Sequence, residues 1–311
     1  MKNSNITLII INYNGWEDTI ECLKSLDESL YSKAYNMSLI LIDNKSPNDS
    51  IKNLIPFMRE KYGGDFIFAN CEEEALAHKV VLYASNENYG FSGGNNIGIS
   101  IAQKRQANYV LLLNNDTIVE GDFALPLLNL METDGQLGMV GPKQVDYYNH
   151  SNYSLGGRYN KYKGSGYAFY NTDKANGQYV SFLSGCCWLL RMDAIEKSGM
   201  MDEAYFLYIE DVDYCCTFID NGYKLSCTKD SIVYHKENRS TPLTANLYYY
   251  NTRNRLYLCN KQKYNFLIKL VFYVYFSITR IKYYISMPEL RPYLRKALYD
   301  YKMNHYGKLE M

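Results

Sequence analysis

The chain of 311 residues lacks a surplus of either charge, since Lys plus Arg and Asp plus Glu each number 33. A nucleic-acid partner is therefore not expected, because phosphate backbones are held by net basic surfaces. Cysteine occurs eight times but never as CxxC and never with a histidine at metal-binding spacing. Cys186–Cys187 and Cys215–Cys216 are adjacent pairs, so buried thiols in a reducing, cytoplasmic setting are expected rather than a disulfide framework. The opening MKNSNITLIIINYN has no small-residue cleavage site and reads as a first strand, not a signal peptide. Nor is there an apolar run of the roughly 20 residues that span a bilayer; LVFYVYFSIT at 270–279 is closed off by Lys269 and Arg280. No internal repeat is visible.

What the chain does have is unevenly placed. Residues 1–240 carry 21 basic and 30 acidic side chains, and residues 241–311 carry 12 basic and 3 acidic. Tyrosine numbers 33, and together with Lys and Arg it favours surfaces that are half wet and half apolar. The basic, aromatic C-terminal helices therefore suit either peripheral contact with an anionic leaflet or the interface of a homodimer.

The first third alternates β-branched runs with helical stripes. ITLIIINY (6–13), SLILIDN (38–44), KVVLYASN (79–86) and NYVLLLNND (108–116) are strands; WEDTIECLKSL, SPNDSIKNLIPFM and the segment around Ile97–Gln103 are helices, the last preceded by a Gly-rich turn. Apolar strands linked by helices predict a mostly parallel sheet covered on both faces, and ligands of such sheets collect at the carboxyl ends of the strands. Those ends hold Asn12 and Asn14, Asp43 and Asn44, Asn86 and Asn88, and Asn114–Asp116. Any one of these is an ordinary turn residue; the repetition points to a site. Residues 143–180 are polar and rich in Gly and Tyr, as irregular hairpins would be, CEEEALAH (71–78) reads as a solvated loop, and the pattern after residue 240 is helical.

A series of short motifs then falls into order: IIINYNG (9–15), LIDNKSPND (41–49), NENYGFSGGNNIGI (86–99), LLLNNDT (111–117), SGCCWLLRM (184–192), GMMDEAYFLYIEDVDYC (199–215), VYH (233–235) and YYYNTRNRLYL (248–258). Together they resemble glycosyltransferases of family 2, which have the GT-A fold, and in particular the bacterial rhamnosyltransferase-like members. The resemblance spans residues 6 to about 260. It implies an α/β fold with a helical C-terminal extension, divided as 1–240 (nucleotide-binding half 1–118, acceptor and catalytic half 119–240) and 241–311. It also implies an inverting transfer of one sugar from a dTDP- or UDP-linked donor to a saccharide or undecaprenyl-diphosphate-linked acceptor, in the cytoplasm or at the inner face of the membrane. A processive polysaccharide synthase is disfavoured by the missing QxxRW-like motif; a sugar-nucleotide-binding subunit without turnover is the alternative from another class.

The resemblance also implies roles, each set against a plainer reading. Asp43 and Asn14, with Asn12, are placed for the base and ribose. In the NYGFSGGNN loop Asn88, Gly93 and Asn95 would lie under the nucleotide; this is not a dinucleotide fingerprint, because the GxG pair is missing. Asn114-Asn115-Asp116 stands where relatives carry DxD, so Asn115 would meet the donor and Asp116 would hold Mg²⁺ or Mn²⁺, with His235 a further ligand. Asn114 in the first carboxylate's place leaves fewer acidic ligands. Three acids, Glu210, Asp211 and Asp213, follow an aromatic run; capping of a helix start explains all three, whereas the resemblance makes Asp211 the catalytic base. Trp188 is either core or a sugar platform. Arg253 would meet the diphosphate, or else lie on a solvated helix face.

Overall fold

The computed structural model describes residues 4–236 and 245–310. The expected division at 240–241 lies outside them, as do the first residues of the stretch after 240 expected to be helical. The first strand, β1 (Asn5–Asn12), is a β-branched run, and Leu8, Ile9 and Ile10 on it are fully buried. Side chains on both faces of a strand are buried only when both faces are covered. Each such aliphatic residue contributes about 1.5–3 kcal/mol relative to exposure. α1 (Trp16–Ser25), the short α2 (Asp27–Leu30) and α3 (Ser50–Tyr62) cover one face, and β2 (Asn36–Asp43) pairs with β1 in parallel register between α2 and α3.

Next come β3 (Phe66–Ala69), α4 (Glu72–Leu76), β4 (Val80–Ala84), α5 (Gly90–Lys104) and β5 (Tyr109–Asn114). The short β3 is not evident from periodicity, because FIFA has no alternation over its four residues. CEEEALAH, expected as a loop, holds the single turn of α4. The Gly-rich segment expected as a turn is instead the opening of α5. Its glycines serve packing: at Gly98 an added Cβ would lie 2.6 Å from Ile9 Cγ2, so α5 can lie against β1 only without a side chain there.

The second half adds β6 (Thr117–Val119), α6 (Ala124–Thr133), β7 (Leu137–Asp146), β8 (Tyr153–Asn160), β9 (Ser165–Tyr170), β10 (Tyr179–Val180), β11 (Cys187–Arg191), α7 (Met192–Ser198), α8 (Glu210–Asp220) and β12 (Lys224–His235). One sheet runs in the order β10-β12-β7-β11-β5-β1-β2-β4-β3. From β5 to β3 it is parallel, while β11 enters antiparallel between β5 and β7. The hairpin expected within 143–180 is β8–β9. Seven cysteines are buried and Cys71 is exposed. Three helices, α9 (Ala245–Lys261), α10 (Phe266–Ser286) and α11 (Arg291–Met303), close the chain. Among the described residues no helix is long and apolar enough to cross a membrane.

Candidate active site

Strand pairing brings the early and late motifs to one place. β6 follows the Asn114–Asp116 turn and pairs antiparallel with the end of β12, setting His235 opposite Thr117. Asp116 Oδ1 is buried and takes no well-directed hydrogen bond; it faces His235 Nε2 at 3.2 Å. Burial alone would raise the Asp116 carboxyl, but His235, a backbone hydrogen bond and Lys236 together outweigh that and leave it lowered, so the group is anionic at neutral pH. Among the described residues no cluster of three or more His, Cys, Asp or Glu could cage a metal. The pair nevertheless fits Mg²⁺ or Mn²⁺. Two neighbouring ligands of an octahedral ion at about 2.1 Å lie roughly 3 Å apart, and such ions usually take only one or two protein groups, the rest being phosphate and water.

A cavity of about 300 Å³ opens beside this pair, lined in part by Tyr13, Asn44, Asn114, Asp116, Phe206 and Leu207. Asn88, Asn95 and Asn115 line it as well. Asn95 Nδ2 donates to the Phe91 carbonyl at 3.0 Å, and Asn115 Nδ2 donates to Thr19 Oγ1 at 2.9 Å and Gly15 O at 3.2 Å. Asn88 Oδ1 caps the Gly90 N–H at 2.9 Å. A second cleft of about 670 Å³ shares Tyr13, Asn88 and Phe206 with it and adds Lys45, Glu203 and Lys308.

Other expected donor contacts are supports. Asn12 is fully buried, giving Nδ2 to Asp43 Oδ1 at 2.7 Å and taking the Thr19 hydroxyl on Oδ1 at 3.0 Å. Asp43 is 2% exposed, and its second oxygen takes the Ser46 N–H at 3.1 Å. Both therefore shape the 44–48 turn, and neither lines the cavity; its neighbour Asn44 does. Asn14 is exposed with a left-handed φ of 62°, and Tyr13 rather than Asn14 lines the cavity. Gly93 lies inside α5, where an added Cβ would meet Tyr89 Cβ at 2.6 Å, so it serves helix packing rather than ligand approach.

The acids open α8, whose N-cap Ile209 offers no side chain to the helix. Asp211 Oδ1 accepts the Val212 N–H at 2.8 Å, and the Gly185 N–H also bonds the carboxylate. Gly185 puts this acid near the cavity: a Cβ added there would lie 3.4 Å from Asp211 Cβ and 3.5 Å from the ring of Phe91, a cavity residue. The next carbonyl, Cys186 O, accepts the Asn114 N–H at 2.9 Å. Burial raises both Asp211 and Glu210, the latter also through the neighbouring Asp211 charge. Glu210 Oε2 is buried and has no hydrogen-bond partner among the described residues. Asp213 has another task, an ion pair with Lys261 at 2.8 Å that ties α8 to α9; burial raises it despite that partner.

Two further expectations are corrected. Trp188 is fully buried in the middle of β11, 6.1 Å from the Tyr214 ring, and is core rather than a sugar platform. Arg253 is also fully buried, and its five N–H donors meet Asn254 Oδ1, Tyr249 Oη and the carbonyls of Gly307, Ala204 and Tyr205. None is left for a diphosphate. The loop it holds carries three left-handed non-glycine residues, Phe206, Tyr208 and Ile209, at φ 61°, 67° and 73°. Such positions cost on the order of 1–3 kcal/mol each and persist only when the surroundings fix them.

A mostly parallel sheet with a polar cleft at its strand ends and helices on both faces is the GT-A fold. The same fold is found in solved structures: Staphylococcus aureus TarS residues 1–349 (TM-score 0.59, 14% identity, 96% of this chain and 80% of that one). GalNAc-T7 with UDP, GalNAc and Mn²⁺ aligns at TM-score 0.60 and 14% identity, over 98% of this chain and 58% of that one. The chain belongs to glycosyl transferase family 2, whose model matches residues 7–199. It is similar to the dTDP-rhamnosyl transferase RfbF of Shigella flexneri (22% identity, 75% of this chain and 69% of that protein). It is also similar to the rhamnosyltransferase WbbL of Escherichia coli K12 (26% identity, 75% and 85%).

Proposed function

We propose that this family 2 enzyme transfers one sugar, rhamnose in the first instance, from a dTDP- or UDP-linked donor to a saccharide carried on undecaprenyl diphosphate in bacterial surface polysaccharide synthesis. The donor class is supported by the two rhamnosyltransferase relatives. The observation that carries the reading is the shared cavity: Asn114–Asp116 line it from one half, Phe206 and Leu207 from the other, and Asp211 and the cavity residue Phe91 both approach Gly185.

In this geometry the acceptor hydroxyl gives its proton to the Asp211 carboxylate as its oxygen bonds the anomeric carbon. The bond from that carbon to the diphosphate oxygen breaks, and its electron pair leaves with the nucleoside diphosphate. A single displacement inverts the centre. Mg²⁺ or Mn²⁺, held by Asp116 and His235, would neutralise charge on the leaving diphosphate. The burial that raises Asp211 makes its carboxylate a better proton acceptor. Phe91, Phe206 and Leu207 give the cavity an apolar wall, which with donor bound would keep water from the anomeric carbon and limit donor hydrolysis.

The acceptor's lipid is supported by α10. Phe266, Leu267, Leu270, Val274, Ile278 and Ile285 are all exposed; at 100° per residue they lie on one stripe. Lys263, Lys269 and Lys282 stand near it, as contact with an anionic leaflet requires. Turnover of dTDP-, UDP- and GDP-sugars with Mn²⁺ and a lipid-linked acceptor, with the product's anomeric configuration read by NMR, tests the proposal. An inverted glycoside is expected; retention of configuration, or no transfer from any donor, would refute it.

A further inference from the structure

We infer that Arg253 and Asn254, with the segment after α11, are positioning residues that clamp the acid-bearing loop in its active shape, a reading that rests on the proposed role of Asp211. Segment 204–208 runs through left-handed turns and has no strand partner among the described residues, so its carbonyls need N–H donors from elsewhere. Two side chains of α9 provide most of them. Arg253 Nη2 donates to Ala204 O and Tyr205 O, both at 3.0 Å. Asn254 Nδ2 lies 2.8–2.9 Å from the carbonyls of Tyr205, Leu207 and Tyr208. The remaining carbonyl, Phe206 O, takes the Phe91 N–H at 2.8 Å. Asn254 Oδ1 in turn accepts Arg253 Nε–H at 3.0 Å, locking the two side chains to each other.

The far side of the clamp is the segment after α11. Arg253 Nη1 donates to Gly307 O at 2.7 Å, and Gly307 N–H returns to Ala204 O at 3.0 Å. Leu309 N–H bonds Tyr250 Oη at 2.8 Å, and the Tyr250 ring stacks on Phe206 at 5.6 Å. Phe206 lines both clefts, so the clamp fixes one wall of the donor cavity and, directly after the last left-handed residue Ile209, the start of the helix bearing Asp211. No atom of Arg253 or Asn254 lines either cleft. They act through the loop, not on the substrate.

The test compares Asn254→Asp and Arg253→Lys with the parent. Asn254→Asp keeps the shape and removes the carbonyl-directed N–H groups; Arg253→Lys keeps the charge and loses the five-bond fork. The expected result is a kcat roughly 10- to 100-fold lower, an acid limb of the pH profile that moves, and a nucleotide Kd by calorimetry that rises by much less than kcat falls, because Phe206 is only one of the residues lining the cavity. Loss of nucleotide affinity in step with kcat would overturn the inference, as would unchanged kcat in both variants. Amide hydrogen exchange gives a readout independent of turnover: amides 204–212 should exchange faster in Asn254→Asp while those of β1 and β5 stay protected. Unchanged exchange there would overturn the clamp even if no sugar donor is turned over, whereas absent transfer by the parent with the faster exchange would count only against the reaction. If Arg253→Lys does not fold, Asn254→Asp carries the comparison, read by both kcat and the exchange of amides 204–212.

Discussion

Asp116 and His235 face each other at 3.2 Å because the short β6 lies antiparallel against the end of β12. If they share a cation, Asp116→Asn and His235→Ala should each raise the Mn²⁺ concentration for half-maximal transfer roughly tenfold or more, the scale seen for disturbed metal sites. Metal titration of activity checks this, and an unchanged metal dependence in both would remove the pair from the site.

Asp211→Asn should lower kcat by roughly 10²–10⁴-fold, the usual contribution of a general base, with nucleotide affinity retained. In the parent, burial raises Asp211, so activity should fall as pH drops through a limb above the ordinary carboxylate range. A kcat/KM profile flat down to the range of a free aspartate would contradict the assignment.

Glu210 has the opposite consequence for stability. Its folded-state affinity for a proton is raised by burial and by Asp211, so its contribution to stability is present below the unfolded value and lost as pH rises through the folded one. Glu210→Gln should therefore stabilise the enzyme at neutral and higher pH, by about 1 kcal/mol or more, and the gain should vanish in acid. Denaturant melts at two pH values measure it; a pH-independent difference would rule it out.

Lys261 bridges Asp213 at 2.8 Å and Asp202 at 2.7 Å. Lys261→Met leaves Asp213 buried with its partner gone, and stability should fall by about 1–3 kcal/mol. The loss should shrink as pH is lowered and Asp213 is protonated, which thermal melts across pH would detect.

Val274→Asp with Ile278→Asp places charge in the exposed stripe of α10. Binding to vesicles containing anionic lipid should be lost while transfer to a soluble acceptor persists. If the stripe is instead a homodimer interface, vesicle binding is absent in the parent too, and the substitutions change the sedimentation coefficient.

The four long strands of the first half were readable because β-branched runs buried on both faces have no other use, and the polar residues at their tips marked the cleft. Less could be read where a residue's partner is distant in sequence. Asn12 and Asp43 sit at strand tips as ligand residues would, yet they bond each other; Arg253 looks like a surface cation on a helix but is enclosed by five acceptors from three segments. Glycine misled for a similar reason, since Gly90 and Gly93 signal close approach without saying to what. At Gly90 an added Cβ would lie 2.2 Å from Phe206 O, so the neighbour is the acid loop. Tyr13 and Leu207 carried no local mark of a cavity in the sequence, whereas the aromatic run that includes Phe206 was legible as a wall beside the acids, and Phe206 does line the cavity.

The sheet is hydrogen-bonded without a break from β10 to β3, with β11 stitched between β5 and β7. That continuity removes the hinge at which two lobes would swing together over a substrate. Enclosure of the sugar therefore falls to the connections above the strand tips, and the speed of opening after each turnover would be governed by how easily those connections lift rather than by any rocking of the protein's two halves.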